Sequence, residues 1–497
     1  MITTATQLGA ATTATESEYL RAARERRRAQ REHFDRLAER GDRWRRWNSY
    51  YHDSLTRLLR FLVGTGKSVL EVGCGPGDLL AGLEPAHGVG IDLSPRMLEK
   101  GRLKHPHLEL LEGDAESFDL GGRTFDVVLL SDVLCLVEDV WQVLRNLQRV
   151  CRRDTRLVIT SHNAVWQPAL DAADRLGLKT PTLPTSWLGM GDLKNLLHLN
   201  HYEVVSEGTS TLVPTRIPLV SELVNRTVAH LPGFRDLNLI QYVVARPTWQ
   251  EAPPRPRDLS CSVIVPTRNE QGNVRDIFQR VPQLGPRTEL VFVDGHSSDG
   301  TVEEIERLLP TREARLYHQT GKGKGDAVRL GFDRAQCDVM MILDSDLTVP
   351  PEDLPKFYLA IAEGRGEFVN GTRLVYPMED EAMRFLNLLG NKFFSVLLSA
   401  ILGQQLKDTL CGTKVLTRDS YARIVDGRAY FGEFDPFGDF DLIFGAAKQQ
   451  LKIVEVPIRY RARTYGETKI HRFRHGLLLL RMSALALWKF KLARSDV

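Results

Sequence analysis

Two series of short apolar runs, each alternating with amphipathic stretches, divide the 497 residues. The first series starts near residue 67 with "KSVLEVG", "GVGID", "LELLEGD", "FDVVLLSDV" and "RLVITSH", and closes with "YEVVSEG" and "LIQYVVARP". Such alternation predicts a parallel sheet with helices on both faces, the last two runs being able to pair as an antiparallel edge. "RPTWQEAPPRPRDLS" follows, with four prolines between Pro247 and Pro256, which can continue neither element. A second series then runs through "CSVIVPT", "ELVFVDG", "ARLYHQ", "VMMILDSD", "EFVNGTR" and "KIVEVPIRY". No internal repeat relates the halves. The pattern predicts two different α/β domains, at 45–246 and 258–497, joined by a linker at 247–257 and preceded by a disordered leader and basic helix at 1–44.

Composition and charge narrow the functional classes. Apolar content of 42% and charged content of 26% read as globular, and a formal net charge of +3 is too small for a polycation built for nucleic acid. Basic charge is instead concentrated in residues 21–46, with eleven arginines against five acids. That run reads as a solvated helix with Glu–Arg pairs, the alternative being a docking surface for anionic lipid. The six cysteines are scattered, without the spacing of a zinc site or disulfide framework, and imply a reducing compartment. The first twenty residues have no basic start leading into an apolar core, as a secretory signal would. "FLNLLGNKFFSVLLSAILG" (385–403) and "GLLLLRMSALALWKFKLAR" (476–494) are too short and too charged to span a bilayer. They read either as buried core helices or as helices lying in a membrane interface.

In the first domain a strand runs into "LEVGCGPGDLL", where Gly73, Gly75 and Gly77 allow backbone to approach a ligand. Glu71 precedes the turn, Asp92 ends the second strand, and Asp114 closes the third. In this order the motifs resemble the class I S-adenosylmethionine-dependent methyltransferases over residues 45–246. The resemblance implies a Rossmann-like fold with Glu71, Gly73, Gly75 and Gly77 around the methionine and ribose of that cofactor. It implies Asp92 on the ribose, Asp114 and Ala115 at the adenine, and Ser131 with Asp132 in a wall. His162, after the fifth strand, is a candidate base for a hydroxyl acceptor or a capping histidine. "WRRWNSYYHD" (44–53) is placed to form a lid, although its aromatics can also simply pack.

In the second domain "MMILDSDLTVPP" places Asp344 and Asp346 two residues apart, on one face of a strand. Like charges at that spacing are relieved by a cation, and Mg²⁺ or Mn²⁺ suits oxygen ligands completed by phosphates. With "SVIVPTRNE", "VFVDGHSSDGT", "GKGKGDAVRLGF", "NGTRL", "DTLCGTKV" and "VPIRYRARTYGETKI", the stretch resembles the inverting family 2 glycosyltransferases of GT-A fold, most closely the dolichyl-phosphate mannose synthase-like group. The resemblance implies Pro266, Arg268, Glu270, Asp294 and Asp299 around the nucleotide, Lys324 at its phosphates, and Asp344 and Asp346 on the metal. Arg373, Arg463 and Lys469 would neutralise diphosphate or acceptor phosphate. Relatives often carry Gln where this chain has Thr348, and "FGDFDLIF" offers two acids, Asp439 and Asp441, where many relatives keep one.

A hydroxyl acceptor would need Asp439 or Asp441 as base, whereas a phosphate monoester is already largely dianionic and needs cations. The basic run Arg459, Arg461, Arg463, Lys469, His471, Arg472 and Arg474 favours phosphate. The expected protein is a bifunctional transferase using a nucleotide-diphospho-sugar and a polyprenyl phosphate, peripheral on the cytoplasmic membrane face and without a nucleic-acid partner. Two rival expectations remain, a sugar transfer to a hydroxyl and a first domain that binds cofactor without catalysis.

Overall fold

A computed structural model of the chain describes residues 18–39, 47–178, 188–376, 385–430, 438–461 and 472–492, with isolated positions between them. It divides into two compact units between Pro254 and Arg255.

The first unit begins at Glu18. Its strands are β1 Ser68–Val72, β2 His87–Asp92, β3 Glu109–Glu112, β4 Val127–Ser131, β5 Arg156–His162, β6 Tyr202–Ser210 and β7 Ile240–Pro247. They form one sheet in the order β3-β2-β1-β4-β5-β7-β6. The first five are parallel, and β7 pairs antiparallel with both β5 and β6. Helix Ser49–Val63 places Leu55, Leu59 and Val63, at four-residue spacing, on Val69, Leu129, Val158 and Ile240. Burial of each such side chain contributes roughly 1.5–3 kcal/mol, which fixes the helix against the sheet despite its short length. Strand order reverses between β1 and β4, so a crevice opens at the carboxyl ends of these strands.

The basic helix, Glu18–Glu39, makes an i,i+4 pair of the expected kind, with Arg28 Nε on Glu32 at 2.9 Å, and is also tied to the rest of the unit. Arg26 Nε donates to Glu138 at 3.0 Å, Arg31 lies 2.9 Å from Glu112, Arg27 pairs with Glu116, and Asp35 accepts from Ser94 Oγ at 2.6 Å. Its arginines answer acids that follow β3 and β4, and this leaves fewer of them for a lipid or polyanion. The proline-rich run, for its part, starts inside the fold. Pro247 is paired with Tyr202 in the sheet, and Trp249 is buried edge-on against the Tyr202 ring, with 5.3 Å between centroids.

The second unit carries β8 Cys261–Thr267, β9 Thr288–Asp294, β10 Ala314–His318, β11 Val339–Ile342, β12 Phe368–Thr372, β13 Lys414–Thr417 and β14 Ile453–Pro457. Their order is β10-β9-β8-β11-β13-β12-β14. β13 runs antiparallel between β11 and β12, and the remaining pairs are parallel. The apolar pattern does not announce β13, because it has four residues and begins with a lysine, Lys414, that is fully buried.

Helix Phe385–Leu402 and helix Arg472–Leu487 pack on each other and are neither wholly buried nor wholly interfacial. One face of each, with Phe394, Leu398, Ile401, Leu479, Met482 and Ala486, joins the core around Phe440 and Phe444. The opposite faces expose Phe393, Val396, Leu480, Leu487 and Trp488 to solvent, with Lys392, Arg481 and Lys491 among them. Among the described residues no helix is long and apolar enough to cross a membrane.

Candidate active sites

At the end of β1 the chain turns through Gly73, Gly75 and Gly77, all at positive φ (+77°, +53° and +74°). A Cβ at Gly73 would strike Val133, whereas one at Gly75 would meet nothing within 4 Å, so open space lies before the turn. Asp92, ending β2, accepts from Gly75 N at 2.8 Å and from Ser94 N at 2.9 Å. Burial raises its pKa against the pull of those two amides. Glu71 is buried within β1.

Asp114 and Ala115 follow β3. Asp114 accepts from Glu116 N at 2.9 Å and stands 3.3 Å from Arg27 Nε, while Ala115 O accepts from Asn146 Nδ2 at 3.3 Å. Ser131 Oγ, ending β4, lies 3.1 Å from Thr160 Oγ1. His162, ending β5, has its Nε2 2.9 Å from Tyr51 Oη, which is also 3.0 Å from Asp132 Oδ2. Parallel strands put all these groups on one edge of the sheet. A carboxylate at the turn, a second acid one strand further out, and open space before Gly75 fit an adenosyl ligand.

In the second unit Asp344 and Asp346 stand beyond the end of β11, in a turn where Leu347 N donates to Asp344 O at 3.2 Å and Leu347 has φ +53°. The expectation that both lie on the strand is therefore corrected. The turn gives each carboxylate its own direction and its own cation: Lys324 Nζ is 2.6 Å from Asp344, and Arg463 Nη2 is 2.6 Å from Asp346. Burial pushes the Asp344 carboxyl up, but Lys324, with Lys414 and Arg373, holds it below the usual carboxylate range. A Cβ at Gly412 would collide with both Asp344 and Lys324, so "DTLCGTKV" supplies the floor of the site. Thr348 Oγ1 donates to Asp346 Oδ1 at 2.8 Å and orients that carboxylate.

Pro266 O accepts from Ser345 Oγ at 3.0 Å, which ties the end of β8 to this turn. Arg268 is exposed on the following loop. Glu270 is buried, donates from its backbone N to Thr301 Oγ1 at 3.0 Å, and lies 3.9 Å from Arg463 Nη1. Asp294, at the end of β9, accepts from the amides of His296 and Ser297 at 3.0 and 3.2 Å. Asp299 accepts from Gln271 N and Thr301 N, stitching the two loops together at the start of helix Thr301–Leu308. Arg463 thus brings the β8 loop and the aspartate turn together from 117 residues away.

Two assigned roles do not hold in this arrangement. Arg373 is half-buried, with Nε and Nη2 on Asp408 at 2.6 and 2.8 Å and its guanidinium over the Tyr460 ring, so its fork is used inside the fold rather than offered to a diphosphate. Asp441 is buried with Arg428 at 3.0 Å, which disfavours it as a base because the pair would have to break. The Asp439 side chain, Lys469, His471 and the side chains of Arg472 and Arg474 lie outside the described residues. Among the described residues no three His, Cys, Asp or Glu side chains converge as a metal cage. Two carboxylates alone suit a hard divalent ion that takes its other ligands from water and phosphate, once their cations move aside. The sequence does not single out Tyr51, Asp408, Gly412 or Arg27 individually, although Tyr51 lies in the aromatic segment 44–53, Arg27 in the basic run, and Asp408 and Gly412 in "DTLCGTKV".

Comparison with known proteins agrees with this division. The model for glycosyl transferase family 2 matches residues 262–425, and a methyltransferase-domain model matches residues 70–159. The dolichol-phosphate mannosyltransferase of Pyrococcus furiosus is 32% identical over 218 residues, covering 43% of this chain and 59% of its own length. The chain thus spans well under two thirds of that relative. The dolichyl-phosphate hexose transferase of Haloferax volcanii is also 32% identical over 218 residues, here covering 88% of its length. A solved S-adenosylmethionine-dependent methyltransferase from Thermotoga maritima aligns over 44% of this chain and 99% of its own, at 17% identity and a TM-score of 0.36. The chain is a two-domain transferase that belongs to glycosyl transferase family 2 through its second unit and carries a methyltransferase domain in its first.

Proposed function

We propose that the second unit transfers a sugar, with inversion, from a nucleotide-diphospho-sugar to a polyprenyl phosphate, and that the first transfers a methyl group from S-adenosylmethionine within the same pathway. The observation that carries the sugar-transfer reading is the set of cations around the aspartate turn, Lys324 and Arg463, at a site where the one described candidate base, Asp441, is neutralised by Arg428. A phosphate monoester carries its own negative charge at neutral pH and needs positive partners rather than a base. The names of the relatives, which act on dolichol phosphate or dolichyl phosphate, support the same acceptor class.

Asp344 and Asp346 would hold Mg²⁺ or Mn²⁺, which would supply charge neutralisation for the leaving nucleoside diphosphate. Lys324, released from Asp344, would face that diphosphate, and Arg463 the acceptor phosphate. Glu270, Asp294 and the loops they brace would line the nucleotide side, with Pro266 and Arg268 at its edge. The exposed apolar faces of the two C-terminal helices, carrying Trp488 beside lysines and Arg481, fit contact with an anionic bilayer on its cytoplasmic face.

The test is turnover by the full chain of a panel of nucleotide sugars with a short polyprenyl phosphate, with and without chelator. A metal-dependent glycolipid product is expected. Turnover that ignores chelator, or that requires a hydroxyl acceptor instead, would overturn this reading.

A further inference from the structure

The ends of β4 and β5 and the helix Ser49–Val63 bring three polar side chains together in a triangle. Tyr51 Oη is 3.0 Å from Asp132 Oδ2 and 2.9 Å from His162 Nε2, whereas His162 Nε2 is 3.7 Å from Asp132. The phenol is therefore within hydrogen-bond distance of both other groups, which are not within hydrogen-bond distance of each other. Tyr51 is half-buried, and desolvation first and the Asp132 charge second raise its pKa well above the ordinary value, so it remains a neutral phenol. A neutral phenol has one proton to donate, and the carboxylate, which can only accept, takes it. The same oxygen can then only accept from the imidazole.

The direction of the chain is thereby set: His162 Nε2–H donates to Tyr51 Oη, and Tyr51 Oη–H donates to Asp132 Oδ2. A neutral imidazole protonated at Nε2 has its lone pair on Nδ1. Two further observations bear on what these groups face. Val133, next to Asp132, is the side chain that a Cβ on Gly73 would strike, so the cluster borders the glycine turn. The second oxygen of the carboxylate, Asp132 Oδ1, is buried with no hydrogen-bond partner among the described residues, an acceptor that a hydroxyl or water would satisfy. The His162 side chain, 37% exposed, is open to a reactant. Among the described residues, Cys135 and the ring of His52 also face Tyr51.

Resting on the methyl-transfer reading above, we infer that the methyl acceptor is a hydroxyl group, that His162 Nδ1 is the base that takes its proton, and that Tyr51 and Asp132 are positioning residues that fix the imidazole tautomer. The acceptor O–H proton moves to Nδ1 as that oxygen forms its bond to the methyl carbon; the electron pair of the broken C–S bond stays on sulfur. The sulfonium charge is lost there, and the new imidazolium faces Asp132 through the phenol. A carboxylate acceptor, already ionised, would need no such base.

The tautomer is measured first, on the full chain without cofactor, by nitrogen NMR of histidine-labelled protein, with His162→Gln assigning the signal. The expected result is an Nε2–H imidazole that becomes a tautomer mixture in Tyr51→Phe and Asp132→Asn. An Nδ1–H ring in the wild type, or a tautomer indifferent to both variants, overturns the relay. Transfer of labelled methyl from S-adenosylmethionine to membrane lipid extract is measured second. It should fall roughly 10²–10⁴-fold in His162→Gln, as loss of a general base does, with S-adenosylhomocysteine binding retained. The transferred label should be stable to alkali as an ether. A labelled product hydrolysed by alkali, or undiminished transfer in His162→Gln, rejects the hydroxyl assignment. Failure of the wild type to bind S-adenosylhomocysteine would instead sink the methyltransferase reading, with the tautomer result standing apart.

Discussion

Arg463 Nη2 stands 2.6 Å from Asp346 Oδ2, a guanidinium seated on one of the two carboxylates assigned to a divalent ion. A metal held there, as proposed, would compete with the arginine for the same oxygen. A charge-assisted hydrogen bond is worth about 1.5–3 kcal/mol, so its removal can strengthen metal binding by up to roughly ten- to hundredfold. Arg463→Ala should therefore bind Mn²⁺ more tightly in calorimetric titration without donor, yet transfer sugar more slowly because the phosphate loses its cation. Unchanged or weaker Mn²⁺ binding would argue against the exchange.

The bidentate pair between Arg373 and Asp408 is a different kind of charge pair, its carboxylate fully buried and supported by Asn391 Nδ2 at 2.9 Å. Burial pushes the Asp408 carboxyl up, but Arg373 overrides it and brings its pKa down to about 2. Breaking such a pair leaves an uncompensated buried charge and costs about 3–5 kcal/mol. Arg373→Ala should lower the unfolding midpoint of the second unit sharply, whereas Arg463→Ala, which removes a more exposed pair, should lower it by less. Thermal denaturation of both variants gives the comparison, and equal midpoints would return Arg373 to the list of ligand-binding residues.

Glu455, also buried, accepts from the amides of Lys407 and Asp408 at 2.8 and 3.2 Å. Burial outweighs those amides and raises its pKa from 4.5 to about 7. The folded chain therefore binds more protons than the unfolded chain between those values. Its contribution to stability is complete below pH 4.5 and is lost as pH rises through 7, an effect on the order of 3 kcal/mol. Asp408 acts in the opposite sense, contributing above its unfolded value and losing that contribution as pH falls through about 2. Glu455→Gln should raise stability at pH 8 relative to wild type and change it little at pH 4.5. Denaturant titrations at the two pH values decide it.

Arg27 reaches both Asp114 and Glu116 from the basic helix and so closes the outer rim of the adenosyl site. Arg27→Ala should loosen the helix Glu18–Glu39, seen as faster amide hydrogen exchange there, and should speed S-adenosylhomocysteine release several-fold. Unchanged exchange would show that Arg26 and Arg31, with Gln30, whose Nε2 donates to Leu136 O at 2.9 Å, hold the helix without it.

The exposed faces with Phe393, Val396 and Trp488 predict binding to vesicles of anionic phospholipid that weakens with salt. Burying each large side chain is worth roughly 1.5–3 kcal/mol, so a Phe393→Ser, Trp488→Ser double variant should partition at least tenfold more weakly in flotation assays. Equal flotation would remove the membrane face from the proposal.

Much of this protein was legible from the chain alone. Every apolar run that was read as a strand carries one, and the glycine turn and the aspartate turn both stand at strand ends, because the period of apolar residues is a local property that survives into the fold. β13 escaped because four residues led by a buried lysine carry no such period. Side-chain partnership was not legible, since it depends on chain segments far apart in sequence. Arg373 and Arg463 look alike as basic residues near a phosphate motif, yet one is locked on Asp408, 35 residues away, and the other reaches the aspartate turn from 117. Likewise the aromatic segment containing Tyr51 and the strand-end His162 read separately, as a lid and as a candidate base or capping histidine, until folding set them 2.9 Å apart. Sequence determined which chemistry each edge of sheet could carry. Only tertiary structure decided which charges are already spent on one another, because a charge's role is fixed by the nearest opposite charge, and that neighbour is chosen by the fold.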